Sequence, residues 1–383
     1  MKSDLTCAGV NCGLERITSL WTWLLFFALL GCEPTSSGPS NTTLSDGETK
    51  RLILLTNGDD PFWDAMRTGM NQAAEDLKLA DANLAVFLDK GDFSDEAQIS
   101  KLSQYATQSD IAAVAISPVD PASRGIADAM RDLREKGVHV LCIDSDMDVN
   151  RNRDTRFAYL GTNNITGGME LGRAAKGYRP EGGVYATFVG LKAVANAQER
   201  ISGFAQGAGE TFREVDSLAD QGDENIAQEN VKAALNNHSD INTLVGIWAY
   251  NAHAIVEVVK DRQLRDQTTI VVFDAAPLAL KDMPEGYIDA MVVQNPYQMG
   301  YLGTTLMKAL VEGDHAVIQE MYPEYDEATG EIPAGGDIYT TELRVVVPDD
   351  SSPLKAEMFE SDTKFFTFDE FSKWLADRKL SGS

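Results

Sequence analysis

The sequence predicts an α/β protein built from two similar lobes, each with a doubly wound parallel sheet. The chain has 383 residues, which is enough for two domains of ordinary size. From Arg51 onward, short β-rich runs alternate with segments of helical period, and this alternation is typical of βαβ units and parallel sheets. About ten strand-like runs are present, which is more than one doubly wound domain of ordinary size contains.

The strand-like runs share a high content of Val, Ile, Leu and Ala. They are 51–56, 84–88, 111–117, 139–143, 157–161, 183–190, 212–218, 243–248, 269–273 and 288–294. Helical period is clear between the first two runs, where apolar residues recur at three- and four-residue intervals from Met66 to Leu77. Near the C-terminus, residues 339–347 are interpreted as a last strand crossing between lobes. Residues 365–374 are interpreted as a short amphipathic helix that packs on a lobe.

The N-terminal residues 1–31 are predicted to be a signal peptide. Lys2 and Arg16 precede the apolar stretch 17–30, which is short for a membrane span of ~20 residues. The following Gly31-Cys32 resembles a bacterial lipoprotein processing site, at which Cys32 becomes the lipidated first residue. The alternative is a membrane-anchoring helix that is never cut. Residues 32–49 are rich in Pro, Ser, Thr and Gly and are interpreted as a flexible tether.

Composition excludes several classes of function. The formal net charge of -26 argues against nucleic-acid binding, because phosphate recognition needs clustered Lys and Arg. The four histidines are scattered and no metal-binding spacing is present, so we expect no metal and no cofactor. Cys142 stands in the apolar run 139–143 and is interpreted as an inert core thiol.

Acids, amides and aromatic rings follow the predicted strands. Ligands of doubly wound sheets bind beyond the carboxyl ends of the strands, so these residues are the first candidates for a binding site. They are Asp60, Phe62 and Trp63, Asp144, Trp248, Tyr250 and Asn251, Asp274 and Gln294. Carboxylates and amides bind vicinal hydroxyls, and flat rings cover the apolar face of a sugar. The sequence therefore predicts a pocket for a small polyol or monosaccharide.

Six short motifs occur in the order found in a known family. They are Asp60-Pro-Phe-Trp63, Ile143-Asp144, Asn196-Ala-Gln-Glu-Arg-Ile-Ser-Gly-Phe204, Tyr250-Asn-Ala-His-Ala254, Phe273-Asp274 and Val293-Gln-Asn-Pro-Tyr-Gln-Met-Gly300. On these motifs, residues 50–345 resemble the periplasmic sugar-binding proteins of the ribose-binding type, which are substrate-binding subunits of ABC importers. The resemblance implies the type I periplasmic binding protein fold, with two Rossmann-like lobes joined by a three-crossing hinge.

The resemblance also implies domain boundaries. Residues 50–161 and 295–338 are expected to form the N-terminal lobe. Residues 162–294 and 339–383 are expected to form the C-terminal lobe and a tail beyond the compact family, to which the sequence assigns no function.

The resemblance also implies binding roles for the residues at matching positions. Phe62 and Trp63 are expected to pack on the sugar, and its hydroxyl groups are expected to bind Asp60, Asp144, Asp274 and Gln294. At one position where the family has an arginine, this chain has Gln198, and Arg200 follows two residues later. Either Gln198 or Arg200 is expected to face the cleft. The asparagine of the second lobe corresponds to Tyr250 or Asn251. The alternatives stay open that Asp60 only caps a helix and that Trp248 and Tyr250 only pack the lobe.

The function that follows is capture without chemistry. We expect the chain, as a periplasmic monomer anchored to a membrane by lipid, to enclose a pentose or hexose between its lobes. The closed form would then deliver the sugar to the permease of an ABC importer. The alternative is a sensor that presents a sugar or autoinducer to a membrane receptor kinase. An enzymatic activity is not expected.

Overall fold

A computed structural model describes residues 48–383. The predicted signal peptide, the proposed lipidation site Cys32 and all but the last residues of the predicted tether lie outside the described residues. Within residues 48–383, no helix combines the length and the apolar character needed to cross a bilayer.

Thirteen strands run through residues 48–383. They are β1 (Lys50–Leu55), β2 (Leu84–Asp89), β3 (Ile111–Ile116), β4 (His139–Ile143), β5 (Tyr159–Gly161), β6 (Gly183–Val189), β7 (Phe212–Ala219), β8 (Thr243–Gly246), β9 (Thr269–Phe273), β10 (Ala290–Val293), β11 (Ile338–Thr340), β12 (Arg344–Val347) and β13 (Lys364–Thr367). They form a first sheet of six strands, in the order β11-β5-β4-β3-β1-β2, and a second sheet of seven, in the order β13-β12-β10-β9-β8-β6-β7. Every pair is parallel except β10 with β12. The predicted fold class is thus confirmed.

Helices alternate with the strands along the described chain. They are α1 (Phe62–Asp76), α2 (Asp95–Tyr105), α3 (Arg124–Glu135), α4 (Val149–Asn152), α5 (Asn164–Tyr178), α6 (Ala195–Ala208), α7 (Glu224–Asn237), α8 (Asn251–Arg262), α9 (Ala279–Asp282), α10 (Pro296–Glu312), α11 (His315–Met321) and α12 (Phe368–Asp377). The first sheet and the helices that pack on it are called the first lobe, and the second sheet with its helices is called the second lobe.

Both faces of each sheet are buried. Along β1, Leu52 and Leu54 belong to one apolar cluster, whereas Ile53 and Leu55 belong to another on the opposite face. Successive strand residues point to opposite faces, so a sheet with helices on both sides needs a continuous apolar run. This explains why the strand-like runs lack alternation with polar residues.

Within the described part, residues 48–383, the chain passes between the sheets three times. The crossings are residues 162–163 after β5, 294–295 after β10 and 341–343 after β11. The predicted crossing strand 339–347 is in fact two strands, because β11 pairs with β5 of the first sheet and β12 pairs with β10 of the second. Tyr339 and Thr340 accordingly lie in the first sheet, although the predicted boundary places residues 339–383 in the second lobe.

The C-terminal segment extends the second lobe. Its first residues, Lys364–Thr367, form β13 beside β12, so the predicted helix 365–374 begins later than expected, at Phe368. The Thr367 side chain accepts a hydrogen bond from the Glu370 backbone, and Glu370 binds back to Thr367 in a capping box. Phe371 and Leu375 of α12 are buried in the core of the second sheet.

Helices α5 and α6 pack unusually closely. A Cβ atom added at Gly168 would lie 2.2 Å from the carbonyl oxygen of Arg200, and one added at Gly203 would lie 2.2 Å from that of Ile165. Only glycine permits this approach at both positions. The contact fixes α6, and with it Arg200, against the helix that follows the first crossing.

Candidate functional site

A cavity lies between the two lobes, at the carboxyl ends of their strands. The first lobe lines it with residues that follow β1, β2 and β4, and the second lobe with residues of α6 and those that follow β8, β9 and β10. The lining residues are Asn57, Asp60, Phe62, Trp63, Phe93, Asp144, Asn196, Arg200, Trp248, Ala249, Asp274 and Gln294. This edge of a doubly wound sheet is where ligands bind.

The cavity volume is about 30 Å³. A water molecule needs roughly 10–15 Å³ measured in this way, so the space holds only about two or three waters. The lobes are drawn together across it, since the Asn196 side chain of the second lobe donates to Asp144 of the first at 3.1 Å. The structure therefore represents a closed conformation, in which the lobes lie closer together than they can when a larger ligand is enclosed between them.

Two buried acids stand at matching positions in the two lobes. Asp144 follows β4 and Asp274 follows β9, and their backbones are left-handed, with φ of 64° and 65°. Asp tolerates this conformation better than most residues, and unusual backbone geometry concentrates at functional sites. In each lobe the turn places the carboxylate just beyond the end of a buried strand.

Each acid is held by neutral donors. Asp144 accepts hydrogen bonds from Ser117 Oγ at 2.9 Å and from Asn196 Nδ2 at 3.1 Å. Asp274 accepts from Gln294, whose Nε2 lies 3.1 Å from both carboxylate oxygens. These donors fix the carboxylates without neutralising their charge.

Arg200 is the cation between the two acids. Its Nη2 lies 3.9 Å from Asp144 Oδ1 and its Nη1 lies 3.7 Å from Asp274 Oδ2, and both distances exceed a hydrogen bond. Nε donates to Asn164 at 3.0 Å and the guanidinium stacks on Phe273, whereas Nη2 has no hydrogen-bond partner among the described residues. The guanidinium is thus oriented by its own lobe and keeps donor capacity for a ligand.

Burial changes the acid–base behaviour of the acids. Desolvation raises the pKa of Asp274 to about 7, and it also raises the pKa of Asp144. Asp60, at the cavity rim, has its pKa raised to about 6 for the same reason. Arg200 opposes the effect at Asp144 and Asp274 but does not cancel it. The closed cavity therefore disfavours the carboxylate form of these groups unless a ligand supplies further hydrogen bonds.

Four aromatic rings enclose the cavity. Phe62 and Trp63 meet edge to face in the first turn of α1, with centroids 5.0 Å apart. Phe93, from the loop after β2, stacks on Trp248 of the second lobe at a centroid distance of 5.8 Å. Flat rings on several sides suit the C–H faces of a sugar, while the acids and Arg200 suit its hydroxyl groups.

Most residues singled out from the sequence line this cavity. Asp60, Phe62, Trp63, Asp144, Arg200, Trp248, Asp274 and Gln294 all do so. The Asp60 side chain also accepts a hydrogen bond from the Phe62 backbone at 2.8 Å. The N-cap position of α1 is occupied by Pro61, so Asp60 is not the capping residue that the alternative interpretation supposed.

Three predicted residues lie elsewhere. Gln198 lines a separate groove of about 590 Å³ and donates to the Ala193 carbonyl at 2.8 Å. On α6, residues 196 and 200 are four apart and share a face, so Gln198 points away from it. Tyr250 and Asn251 both donate to Asp220, and Asn251 Oδ1 accepts from the Trp248 backbone at 3.1 Å. They support the Trp248 turn and do not line the cavity.

Four lining residues were not predicted from the sequence: Asn57, Phe93, Asn196 and Ala249. Asn57 follows the first strand and Phe93 follows the second, so the rule that selects residues at strand ends could have identified both. Asn196 begins one of the motifs of the family resemblance, and its spacing from Arg200 places it on the same helix face.

Comparisons with known proteins agree with this geometry. Residues 52–315 match a family described as periplasmic binding protein domain. The xylose/arabinose-binding protein XylF of Sulfolobus acidocaldarius is 24% identical over 153 residues, and the match covers 39% of this chain and 38% of that protein. The chain therefore matches well under half the length of this curated relative.

Solved structures match over most of the chain. The glucose-galactose binding protein GanP from Geobacillus stearothermophilus is 23% identical with a TM-score of 0.66, and the match covers 80% of this chain and 99% of that one. An ABC transporter solute-binding protein from Burkholderia graminis, solved with D-arabinose, is 20% identical with a TM-score of 0.67 and coverage of 82% and 100%. At these identities the two structures show the fold. The family match spans more than half of the chain, and this protein therefore belongs to the periplasmic binding protein family.

Proposed function

We propose that this protein captures a pentose or hexose monosaccharide between its lobes and delivers it to an ABC importer. One observation carries the proposal: acids, amides, an arginine and four rings from both lobes converge on a single interlobe cavity. The relatives named for xylose and arabinose, for glucose and galactose, and for a D-arabinose complex support the same class of ligand.

The binding residues have complementary roles. Asp144 from the first lobe and Asp274 from the second accept hydrogen bonds from sugar hydroxyls, while Arg200 donates to a sugar oxygen through Nη2. Phe62, Trp63, Phe93 and Trp248 cover the apolar faces of the ring.

Binding couples to closure because the sugar contacts both lobes at once only in the closed form. A ligand with that preference shifts the population from open to closed, and the permease then recognises the closed form. The family consists of binding proteins, and the proposed mechanism requires no bond to be made or broken.

The test is a thermal-shift titration of residues 48–383 with pentoses, hexoses, deoxysugars and inositols. Binding to the native state alone adds about 4 kcal/mol at ligand concentrations ~1,000-fold above the dissociation constant. We expect a selective response that Asp144→Ala abolishes and Gln198→Ala retains, because only Asp144 lines the cavity. No response to any sugar by folded protein contradicts the proposal.

The proposal includes export and anchoring. Cys32, the first residue after the predicted signal peptide, carries the lipid, and residues 32–49 tether the binding body to a periplasmic membrane surface. Cys32→Ser should release the protein from the membrane fraction. We further propose that the protein acts as a monomer, which light scattering of the purified protein tests.

A further inference from the structure

Gln294 connects all three crossings of the hinge. It stands on the second crossing, and its Oε1 accepts a hydrogen bond from Thr162 Oγ1 of the first crossing at 2.7 Å. Its backbone carbonyl accepts from Arg344 Nη1, at the end of the third crossing, at 2.9 Å. Its Nε2 holds both carboxylate oxygens of Asp274. Gln294 thus links the three crossings to the Asp274 carboxylate.

Arg344 is the buried partner that acts on the Gln294 backbone. Its side chain is fully buried, with Nε donating to Glu342 at 3.1 Å. Nη2 has no hydrogen-bond partner among the described residues, and burial lowers the pKa of Arg344 to about 10. A buried cation with incomplete pairing is costly, and an apolar side chain of similar volume would often be more stable. An apolar residue could supply neither its hydrogen bond to the hinge carbonyl nor its ion pair with Glu342, and only the first of these reaches the hinge.

The C-terminal helix α12 holds Arg344 in place. The guanidinium carbon of Arg344 lies 3.9 Å from the ring centroid of Trp374, close enough for a cation–π contact. Trp374 in turn stacks on Phe371, a fully buried core residue, with a centroid distance of 5.8 Å and an interplanar angle of 6°. The contacts run without a break from the core of the second lobe, through Trp374 and Arg344, to Gln294.

We propose that Arg344 and Trp374 are positioning residues for sugar binding, through which helix α12 keeps the Gln294 amide and the Asp274 carboxylate aligned in the cavity. This inference rests on the proposed sugar-binding function and gives the C-terminal tail a role within it. Neither residue lines the cavity, so neither touches the sugar.

The first test compares sugar affinities by calorimetry, using the sugar that binds best to the wild type. Arg344→Met and Trp374→Leu should each weaken binding roughly 5- to 30-fold. The matched control is Arg378→Met, because Arg378 also lies over Trp374, at 4.3 Å, but does not contact Gln294. The control should bind within about twofold of the wild type. If the leucine variant folds poorly, Trp374→Phe replaces it in the comparison. The phenylalanine keeps a ring beside Arg344, so this variant should retain much of the wild-type affinity.

A double variant separates positioning from general destabilisation. If Trp374 acts through Arg344, then Trp374→Leu should weaken binding no further once Arg344→Met is present. Losses that multiply in the double variant, or wild-type affinity in folded Arg344→Met, would overturn the inference.

A second readout needs no sugar. The hydrogen bonds from Gln294 lower the pKa of Asp274, so displacing Gln294 should raise it. Titration of the carboxyl carbon of Asp274 by NMR should show a higher pKa in Arg344→Met and no change in Arg378→Met. An unchanged pKa in Arg344→Met would overturn the positioning role. If the wild type bound no sugar, the proposed function would fail while this titration still decided the role of Arg344.

Discussion

Replacing Asp274 with Asn should change how the stability of the sugar-free protein depends on pH. Asp274 is buried at 2% exposure, and desolvation raises its pKa from 3.8 to about 7. At pH values between these two pKa values, Asp274 is protonated in the folded protein and ionised in the unfolded chain. The folded protein therefore binds more protons, and the contribution of Asp274 to the free energy of unfolding falls as pH rises. The stabilising contribution is full below the ordinary pKa of 3.8, decreases as pH rises, and is lost above about pH 7.

The magnitude follows from the same values. A carboxyl group with these two pKa values lowers the free energy of unfolding by roughly 2–3 kcal/mol between pH 5 and pH 8. Opening of the lobes would hydrate the carboxylate and relieve part of this cost, so we expect a change of roughly 1–3 kcal/mol.

The assay is urea denaturation of wild type and Asp274→Asn at several pH values from 5 to 8. The stability of the wild type minus that of the variant should decrease with pH, while any cost of the Asn amide facing Gln294 stays constant. The matched control is Asp337→Asn, since Arg156 lowers the pKa of Asp337 and its contribution is lost only at more acidic pH. A difference for Asp274→Asn that is flat, or that rises with pH, would show that burial does not raise the pKa of Asp274.

Three further predictions concern other parts of the molecule. Phe93→Ala removes the stack with Trp248 across the cleft, so X-ray scattering should show a larger radius of gyration for the sugar-free protein; an unchanged radius would mean that the stack does not hold the lobes together. Gly168→Val forces α5 away from the Arg200 carbonyl and should cost more than about 2 kcal/mol of stability by urea denaturation; a variant as stable as the wild type would contradict the close contact of α5 with α6. Cys142 is fully buried and burial raises its pKa, so a thiol reagent should label it only as the protein unfolds; fast labelling of the native protein would contradict its core placement.

The sequence was informative wherever one residue pattern determines local structure. Apolar runs such as 139–143 could be recognised as strands because both faces of a parallel sheet are buried. Once the strands were located, Asp144 and Asp274 followed from the rule that ligands bind beyond strand ends, and both line the cavity.

The rest depended on tertiary geometry. The spacing along α6 places Gln198 and Arg200 on different faces of the helix. Which face meets the cleft depends on the contact of α6 with Gly168 of α5, and the sequence alone does not reveal that contact. Phe93 reaches the second lobe only because its own backbone is left-handed, with φ of 63°. This conformation is uncommon for a residue as bulky as phenylalanine, so the sequence does not predict it.

The tail was equally hard to interpret from sequence. The short runs in 339–347 and 364–367 resemble single elements, and only strand pairing across two sheets shows that the first run divides between them. The contact of Trp374 with Arg344 joins residues of separate elements and leaves no local pattern.

The most direct measurement is a crystal structure of residues 48–383 with the sugar selected by the thermal-shift panel. We expect the sugar between the lobes, with hydroxyl groups bonded to Asp144 of the first lobe and Asp274 of the second, and with Arg200 Nη2 donating to a sugar oxygen. A sugar bound instead in the groove beside Gln198, or one that contacts a single lobe, would show that the cavity between the lobes does not capture the sugar.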